Sequence, residues 1–292
     1  MSVTLRAHAK VNLTLEVLGE RSDGYHEIAT VLQTISLADT IGIEEAETLE
    51  LRCDVPALRS NDNLVLKAAR ILQGTTACGK GAVIDLVKRI PVAAGLGSGS
   101  TDAAAALMGL NLLWGLHLPV ERLQEVGAEV GSDVPFFLHG GTAVARGRGE
   151  KVTPLAPVGE TWMVLLSPHL GAVGNKTAKM YSLLEASHHT SGQLAQEFAD
   201  NCGGGGSVDL GRLFNVFENV AFDFFPGLSS YRSLLAEAGA ECVHLAGAGP
   251  ALFAPVRDRQ AGQGVLNKLE AGGHEAYLVR SVGAEASPSG CD

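Results

Sequence analysis

The segment from residue 5 to residue 17 alternates apolar and polar side chains without interruption. Its odd positions carry Leu, Ala, Ala, Val, Leu, Leu and Val, and its even positions carry Arg, His, Lys, Asn, Thr and Glu. Successive side chains of a β-strand point to opposite faces of a sheet, so this alternation predicts a long, half-buried strand. Lys10 and Asn12 then lie on the same polar face.

The stretch that follows predicts the pairing partner of this strand. Asp23 and Gly24, within RSDGYHE, are typical of a tight turn, and EIATVLQTISL (residues 27–37) is rich in β-formers. Residues 3–37 are therefore predicted to form a β-hairpin. Tyr25 and His26 lie at its tip.

A loop of small residues joins a later strand to a later helix. A predicted helix over 63–73 and a predicted strand over 81–90 precede the loop, and Pro91 ends the strand. Apolar side chains after the loop recur at helical spacing and predict an amphipathic helix that begins near Ser100 or Thr101. Another helix is predicted over 119–130, with a proline where a first helical turn tolerates one.

The composition of this loop, AAGLGSGST (residues 93–101), indicates phosphate binding. Unpaired backbone N–H groups at a helix N-terminus attract anions, and a loop without bulky side chains lets a phosphate come close. The alternative is a tight strand-to-helix connection, which explains the glycines but not the hydroxyl groups beside them. No Gly-Lys-Ser/Thr follows the loop, and Ser100 replaces the third glycine of GxGxxG, which argues against a P-loop and against a dinucleotide oxidoreductase.

Charge and cysteine content restrict the partners. The net charge of −10 provides no broad basic field for a nucleic acid or an anionic membrane, so a small molecule is the expected partner. The five cysteines are scattered and contain no CxxC pair, which predicts neither a disulfide framework nor a zinc site. No apolar signal segment starts the sequence and no apolar run reaches about 18 residues, so we expect a cytoplasmic protein.

The length of 292 residues and a connector rich in Pro and Gly at 153–160 predict two domains. We expect an N-terminal domain over 1–155 and a C-terminal domain over 156–283, with a cleft between them. Residues 202–207 (CGGGGS) are predicted to form a flexible surface loop, and 284–292 a disordered tail.

Several motifs are similar to those of one kinase superfamily. PVAAGLGSGSTDA (91–103) resembles the central motif of the galactokinase, homoserine kinase, mevalonate kinase and phosphomevalonate kinase superfamily, and HLAGAGPALF (244–253) resembles its C-terminal glycine motif. AKVNLTLEVLGERSDGYHEI (9–28) and GSDVPFF (131–137) resemble the branch that acts on diphosphocytidyl methylerythritol in non-mevalonate isoprenoid synthesis. The resemblance spans residues 5–282. It implies a two-domain α+β small-molecule kinase fold with a ribosomal-S5-like N-terminal domain and a ferredoxin-like C-terminal domain.

The resemblance also implies roles for individual residues. Asp133 would accept the proton of the substrate hydroxyl, with Lys10 as its electrostatic partner. The diphosphocytidyl substrate would contact Asn12, Tyr25, His26, Thr177, Tyr181, Gly247 and Gly249. ATP would bind at Lys88, Pro91, Gly95, Leu96, Gly97, Ser98, Gly99, Ser100, Thr101 and Asp102. Mg²⁺ is expected to arrive with the nucleotide, with no residue assigned as its direct ligand, and Asp102 could reach it through water.

Two alternatives remain open on the sequence. Another small-molecule kinase of the same superfamily, such as one for mevalonate or homoserine, would share the loop, but Tyr25 and His26 favour a substrate that carries a nucleobase. A non-catalytic nucleotide-binding protein would also share the loop, but it would not need both Lys10 and Asp133.

Overall fold

The computed structural model describes residues 2–171, 173–202 and 210–284. The predicted surface loop at 202–207 lies outside these ranges apart from Cys202, and the predicted tail at 284–292 lies outside them apart from Ala284. Within these ranges the chain has the predicted α+β character, with two β-sheets and helices packed against both.

The first sheet is built around the predicted hairpin. Its strands are β1 (Ser2–Glu20), β2 (His26–Ala46), β3 (Leu49–Cys53), β4 (Gly81–Val87), β5 (Thr142–Gly147), β6 (Lys151–Pro154) and β8 (Phe214–Asn215). β1 and β2 pair antiparallel from Ser2 opposite Glu44 to Glu20 opposite His26, so the hairpin is confirmed. The order is β3-β4-β2-β1-β8, with β5 on the other part of β2 and β6 on β5.

Both faces of β1 are buried from residue 9 to residue 17, which corrects the expectation of a half-buried strand there, whereas Leu5 and Ala7 are buried on either side of the exposed Arg6 as predicted. Lys10, Asn12, Thr14 and Glu16 are all less than 5% exposed. The pairing of β1 with β2 shifts by one residue between Asn12 and Thr14. Asn12 lies opposite Leu32, and Thr14 lies opposite Val31 instead of Thr30. Because cross-strand partners share a face, Lys10 and Asn12 lie together as predicted, whereas Thr14 and Glu16 lie on the reverse face.

Four helices form a layer against the first sheet. They are α1 (Leu64–Thr76), α2 (Ser98–Leu113), α3 (Val120–Val130) and α4 (Val134–His139), of which α1, α2 and α4 contact strands of the sheet and α3 packs on the other three helices. A further helix over 193–201, from the second half of the chain, contacts β1, β2 and β5. α2 begins two residues earlier than predicted and is buried on nearly all sides, from Ala103 through Leu107, instead of being amphipathic. Its alanines and Gly109 explain this, because small side chains allow the sheet and the other three helices to approach it closely.

The second sheet is antiparallel and has the order β11-β7-β10-β9. Its strands are β7 (Trp162–Leu166), β9 (His244–Leu245), β10 (Leu252–Val256) and β11 (Ala276–Arg280). The helices of this half are α5 (Lys176–Ser182), α6 (Gln193–Asn201), α7 (Glu218–Phe224), α8 (Leu228–Ala238) and α9 (Arg259–Ala271).

The two halves of the chain share a sheet and an apolar cluster. β8 comes from the second half but pairs in parallel with β1, placing Asn215 opposite Leu15. Val11 and Ile35 of the first sheet pack in one buried cluster with Leu165 and Phe253 of the second. β6 belongs to the first sheet and β7 to the second. The division into two domains at residue 155 stays a prediction.

None of the described helices is long and apolar enough to cross a membrane.

Candidate functional site

The first glycine loop, residues 91–97, ends at the N-terminus of α2 and contains two positions that accept only glycine. Gly97 caps the helix with φ = 74°, and Gly95 has φ = 92°. A Cβ on Gly97 would lie 2.4 Å from Cζ of Phe137, and a Cβ on Gly95 would lie 1.9 Å from the carbonyl oxygen of Ala246. Both glycines are therefore required by left-handed backbone and by close approach.

The second glycine loop, residues 246–249, lies directly against the first. Ala251 N donates to Ala94 O at 3.0 Å, and a Cβ on Gly247 would be 2.7 Å from Gly95 O. Asn215 fixes the second loop, since its Nδ2 donates to the carbonyl oxygens of Leu245 and Gly247 at 2.8 Å each. The tertiary fold thus brings the two sequence motifs, about 150 residues apart, into one place.

Lys10 lies where the two loops meet. Its backbone N donates to Leu96 O at 3.1 Å, and its Nζ donates to Asn12 Oδ1 at 2.7 Å. Nζ is 4.0 Å from Asp133 Oδ2 and would be 3.0 Å from a Cβ on Gly247. Burial lowers the pKa of the Lys10 ammonium, while Asp133 acts to raise it.

Asp133 is the N-cap residue of α4, but its side chain makes no capping hydrogen bond. The carboxylate is 39% exposed and faces Lys10, so its oxygens are open to a ligand. Tyr181 lies near the same carboxylate: burial, and next the Asp133 charge, raise the pKa of the Tyr181 hydroxyl. The structure therefore brings Lys10, Asn12, Asp133 and Tyr181 together.

Lys88 is held in a buried ion cluster at the start of α2. Its Nζ contacts a carboxylate oxygen of Asp39, Oδ2 of Asp102 at 2.5 Å and Oγ of Ser98 at 2.6 Å. Asp39 also accepts hydrogen bonds from the backbone N–H groups of residues 89 and 90, just before the first glycine loop. Lys88 thus stabilises the first glycine loop from the protein interior, and its ammonium is bound by three protein side chains.

Asp102 differs from Asp39 because one of its oxygens lacks a partner. Asp102 Oδ1 is buried and makes no hydrogen bond to any described residue. Burial raises the pKa of the Asp102 carboxyl to about 8, against the lowering effect of Lys88 and with a further rise from Asp39. This oxygen is a candidate to contact a cation that arrives with the nucleotide.

The remaining predicted nucleotide residues line the loop and the first turn of α2. Thr101 N donates to Gly97 O at 2.9 Å and continues the helix. Leu96 is buried in the cluster shared by both sheets, so it offers only its backbone. The exposed or half-exposed members are Pro91, Gly99 and Ser100.

The tip of the hairpin carries the aromatic residues predicted to bind a base. His26 stacks on Tyr181 with ring centroids 4.7 Å apart and an interplanar angle of 22°. Burial lowers the pKa of His26, with a raising effect from Glu20 and a smaller lowering effect from His189. Tyr25 is 53% exposed and lies beneath the guanidinium of Arg148 at 4.7 Å.

Thr177 lies on α5 one turn before Tyr181, and its side chain is exposed. Of the two, Tyr181 is in direct contact with the hairpin through His26.

The sequence analysis did not predict four residues of the site. Asp39 interrupts the apolar run of β2, Arg148 follows the last strand residue paired with the hairpin, and Asn215 lies in a strand of two residues. Lys176 precedes Thr177 and donates from Nζ to Ala93 O at 2.7 Å and to Gly249 O. Of the four, Asp39 has the clearest signal in the sequence, because it is an acidic residue inside an apolar strand.

Family models match the chain in two places. The GHMP kinases N terminal domain matches residues 63–141, and the GHMP kinases C terminal domain matches residues 180–275. A crystal structure of 4-(cytidine 5'-diphospho)-2C-methyl-D-erythritol kinase has a TM-score of 0.80 and 31% identity, covering 97% of this chain and 100% of that one. Homoserine kinase from Cytophaga hutchinsonii has a TM-score of 0.72 at 18% identity, covering 99% and 97%, and shares the fold. Fold and site define an ATP-dependent small-molecule kinase with the two-domain GHMP architecture.

The more specific relationship comes from full-length relatives. The 4-diphosphocytidyl-2-C-methyl-D-erythritol kinase of Dehalococcoides mccartyi is 44% identical over 282 residues, which cover 96% of this chain and 99% of that protein. The enzyme of the same name from Bacillus pumilus is 37% identical over 295 residues, covering 98% and 99%. The chain belongs to the 4-diphosphocytidyl-2-C-methyl-D-erythritol kinase family, whose ATP-dependent phosphorylation serves isoprenoid biosynthesis.

Proposed function

We propose that this kinase transfers the γ-phosphoryl group of ATP to the C2 hydroxyl of 4-diphosphocytidyl-2-C-methyl-D-erythritol. The observation that carries the proposal is the position of the Lys10–Asp133 pair, in which Lys10 adjoins both glycine loops and Asp133 lies near Tyr181 of the His26–Tyr181 stack. A phosphate donor at the loops and a base-bearing acceptor at the stack would thus both be close to the pair.

Backbone groups and hydroxyls at the start of α2 provide the proposed ATP site. The N–H groups of the first helical turn lack helical partners and point toward the end where a phosphate would bind. Gly95 and Gly97 hold the loop in a shape that other residues would distort. Gly99 adds exposed backbone and Ser100 a half-exposed hydroxyl, while the buried Ser98 and Thr101 complete the turn and Lys88 and Asp102 stabilise it from inside.

The transfer step needs little covalent chemistry from the protein. The substrate oxygen forms a bond to the γ-phosphorus, the bond from that phosphorus to the β-bridging oxygen breaks, and ADP leaves. The hydroxyl proton passes to the Asp133 carboxylate, which orients the hydroxyl before transfer. Lys10 offsets the negative charge of the phosphoryl group, and in a loose transition state such positioning and charge stabilisation dominate the rate acceleration.

The hairpin tip is the proposed cytidine site. His26 and Tyr181 offer ring faces for stacking, and the nitrogens of His26 can read the edge of a base. Tyr25 and Arg148 form an exposed pair beside them. Asn12, Thr177, Gly247 and Gly249 complete the proposed substrate contacts, with Asn12 held by hydrogen bonds to Lys10 and Thr30.

Mg²⁺ is proposed to enter with ATP. Asp102 fits this role, because its Oδ1 is buried without a hydrogen-bond partner in the described parts of the chain. Bound Mg²⁺ neutralises phosphate charge. No cluster of three or more His, Cys, Asp or Glu side chains suited to a metal occurs among the described residues.

A substrate panel tests the proposal. ADP release should be measured with the diphosphocytidyl alcohol, its uridine analogue, mevalonate, homoserine and no acceptor. We expect rapid turnover with the diphosphocytidyl alcohol and at most slow turnover with the others, because the stacking platform and His26 select a cytosine. Preference for mevalonate or homoserine would assign the chain a different acceptor within the same superfamily.

A further inference from the structure

Lys176 joins the two glycine loops although it belongs to neither. It is the first residue of α5, and its Nζ donates to Ala93 O at 2.7 Å and to the carbonyl oxygen of Gly249. One of these carbonyls lies in the first loop and the other in the second. An ammonium has three N–H groups, so one remains for a further acceptor.

One other positive charge, that of Lys10, acts on Lys176. No carboxylate of a described residue lies within 4.0 Å of its Nζ, so the ammonium has no ion pair in those ranges. Lys10 approaches the second loop at Gly247, and Lys176 bonds to the same loop at Gly249. Burial, and next the charge of Lys10, lower the pKa of Lys176 to about 8.

A buried ammonium and a half-buried one that repel each other, as those of Lys10 and Lys176 do, are stabilised when an anion binds between them. The repulsion is larger in a partly buried site than in water, because the effective dielectric constant is lower. The anion that this class of enzyme brings to the glycine loops is the terminal phosphate of ATP. A site with unneutralised positive charge beside the loops is therefore matched to the charge of that group.

We propose that Lys176 binds the γ-phosphate of ATP together with Lys10 and acts as a catalytic residue of the phosphoryl transfer. The inference rests on the proposed function in one respect only, the location of the phosphates at the glycine loops. The hydrogen bonds from Lys176 to Ala93 O and Gly249 O connect the two loops and also hold the Lys176 ammonium at a fixed point between them. The identity of the acceptor substrate does not affect this role of Lys176.

A purely structural role makes a different prediction. If Lys176 only ties the loops together, its removal changes the shape of the whole nucleotide site. ADP and ATP would then lose affinity to the same degree. If Lys176 contacts the γ-phosphate, the loss is confined to ligands that carry this group.

The test compares binding of ADP and of the non-hydrolysable ATP analogue AMP-PNP by calorimetry, at fixed Mg²⁺. Lys176→Met keeps the length of the side chain and removes the charge. We expect the Kd for AMP-PNP to rise about 10- to 100-fold, the range for loss of a charge-assisted hydrogen bond, with the Kd for ADP changed less than about 3-fold. Turnover with ATP should fall at least as strongly as AMP-PNP affinity.

Lys179→Met is the matched control, since Lys179 is an exposed lysine on the same helix one turn away. It should leave both Kd values unchanged. Lys176→Gln is the second variant, because an amide can still donate to the two carbonyls without a positive charge. It should behave like Lys176→Met toward AMP-PNP while retaining the wild-type melting temperature.

Equal weakening of ADP and AMP-PNP in Lys176→Gln would overturn the proposal and leave Lys176 as a structural tie. Unchanged AMP-PNP affinity in that variant would also overturn it. Neither measurement uses an acceptor substrate, so an error in the proposed acceptor would appear in the substrate panel and not here.

Discussion

Three lysines of the site have different partners, and these partners determine what each lysine can do. Lys88 is neutralised by two buried carboxylates, so it serves the loop as a support. Lys10 has one carboxylate at 4.0 Å, and Lys176 has two backbone carbonyls. The charges of the last two remain available to a phosphate. The amino-acid type alone does not distinguish these three residues, because each of them is a lysine.

Asp133→Asn should retain ATP affinity and lose most turnover. The amide has the same shape but cannot accept the proton of the substrate hydroxyl, and it does not carry the charge that orients it. We expect kcat to fall at least about 100-fold, the lower end of the range for general-base catalysis, with Kd for AMP-PNP within about 3-fold. Because the Asp133 side chain does not cap α4, the melting temperature should change little. Near-normal turnover would remove Asp133 from the reaction.

The lowered pKa of Lys176 predicts opposite effects of pH on nucleotide affinity and on stability. Only the protonated amine attracts phosphate, so affinity for AMP-PNP should fall as pH rises through about 8. In the unfolded chain this lysine titrates near ~10.4, so between these values the unfolded state binds more protons and the contribution of Lys176 to stability rises with pH.

The measurement is the difference between wild type and Lys176→Met in Kd and in free energy of unfolding from pH 7 to pH 10. Lys10 is the charged group that faces Lys176, and because the two ammonium groups repel each other, the difference between the two profiles contains the titration of Lys176 together with its effect on Lys10. Parallel profiles for the two proteins would show that Lys176 does not titrate in this range.

At the scale of elements, α2 combines a phosphate-type N-terminus with a fully buried body. Its first turn is open to a ligand, while Ala103 through Leu107 are enclosed by the sheet and by neighbouring helices. The helix is therefore anchored along its length, and its N-terminus has a fixed position. The sequence predicted the helix, and phosphate binding at its N-terminus stays a prediction, but the sequence did not predict that every side chain from Ala103 to Leu107 would be buried.

Gly97→Ala and Gly99→Ala should have opposite effects although the two glycines are only two residues apart. Gly97 has φ = 74°, and its Cβ would collide with the Phe137 ring at 2.4 Å, so the substitution should destabilise the protein by about 2–4 kcal/mol. Gly99 is helical and exposed, and its Cβ would make an ordinary contact with Leu64 at 3.4 Å.

Gly99→Ala should be neutral or stabilise by up to about 1 kcal/mol, because alanine favours a helix over glycine. Chemical denaturation of both variants gives the comparison, with ATP affinity as a second readout. Equal stability of the two variants would mean that Phe137 can move away from the loop. The functional cost of Gly97→Ala arises from this inward collision more than from a side chain that meets the phosphate.

At the scale of the whole molecule, the site exists because the second half of the chain returns to the first. β8 adds to the first sheet beside β1, and Asn215 in that strand holds the second glycine loop by two hydrogen bonds. The first and second loops then pack backbone against backbone. We therefore expect nucleotide binding and assembly of the two halves to be coupled.

Gly95→Ala should disturb both together. A Cβ on Gly95 would lie 1.9 Å from Ala246 O, so the two loops could not remain in contact. We expect a lower melting temperature and a loss of AMP-PNP affinity of about 10-fold or more, equivalent to at least ~1.4 kcal/mol. Gly264→Ala is the control: this exposed helical glycine has no neighbour within 4 Å, so alanine should be tolerated. Normal binding by Gly95→Ala would show that the loops do not need to touch.

Local patterns determined the hairpin, the glycine loop and the helix after it, because period-two alternation, turn residues and loss of side-chain bulk act within a few residues. The motifs also indicated Lys10 and Asp133, and through the family resemblance they indicated the acceptor site. Only the tertiary structure decided that both faces of β1 are buried from residue 9 to residue 17, that Asp39 and Asp102 hold the Lys88 ammonium, and that Lys176 bridges the two loops. These contacts join residues 14 to 83 positions apart or depend on a one-residue shift in β1, and they arise from packing of whole elements, which a local pattern does not encode.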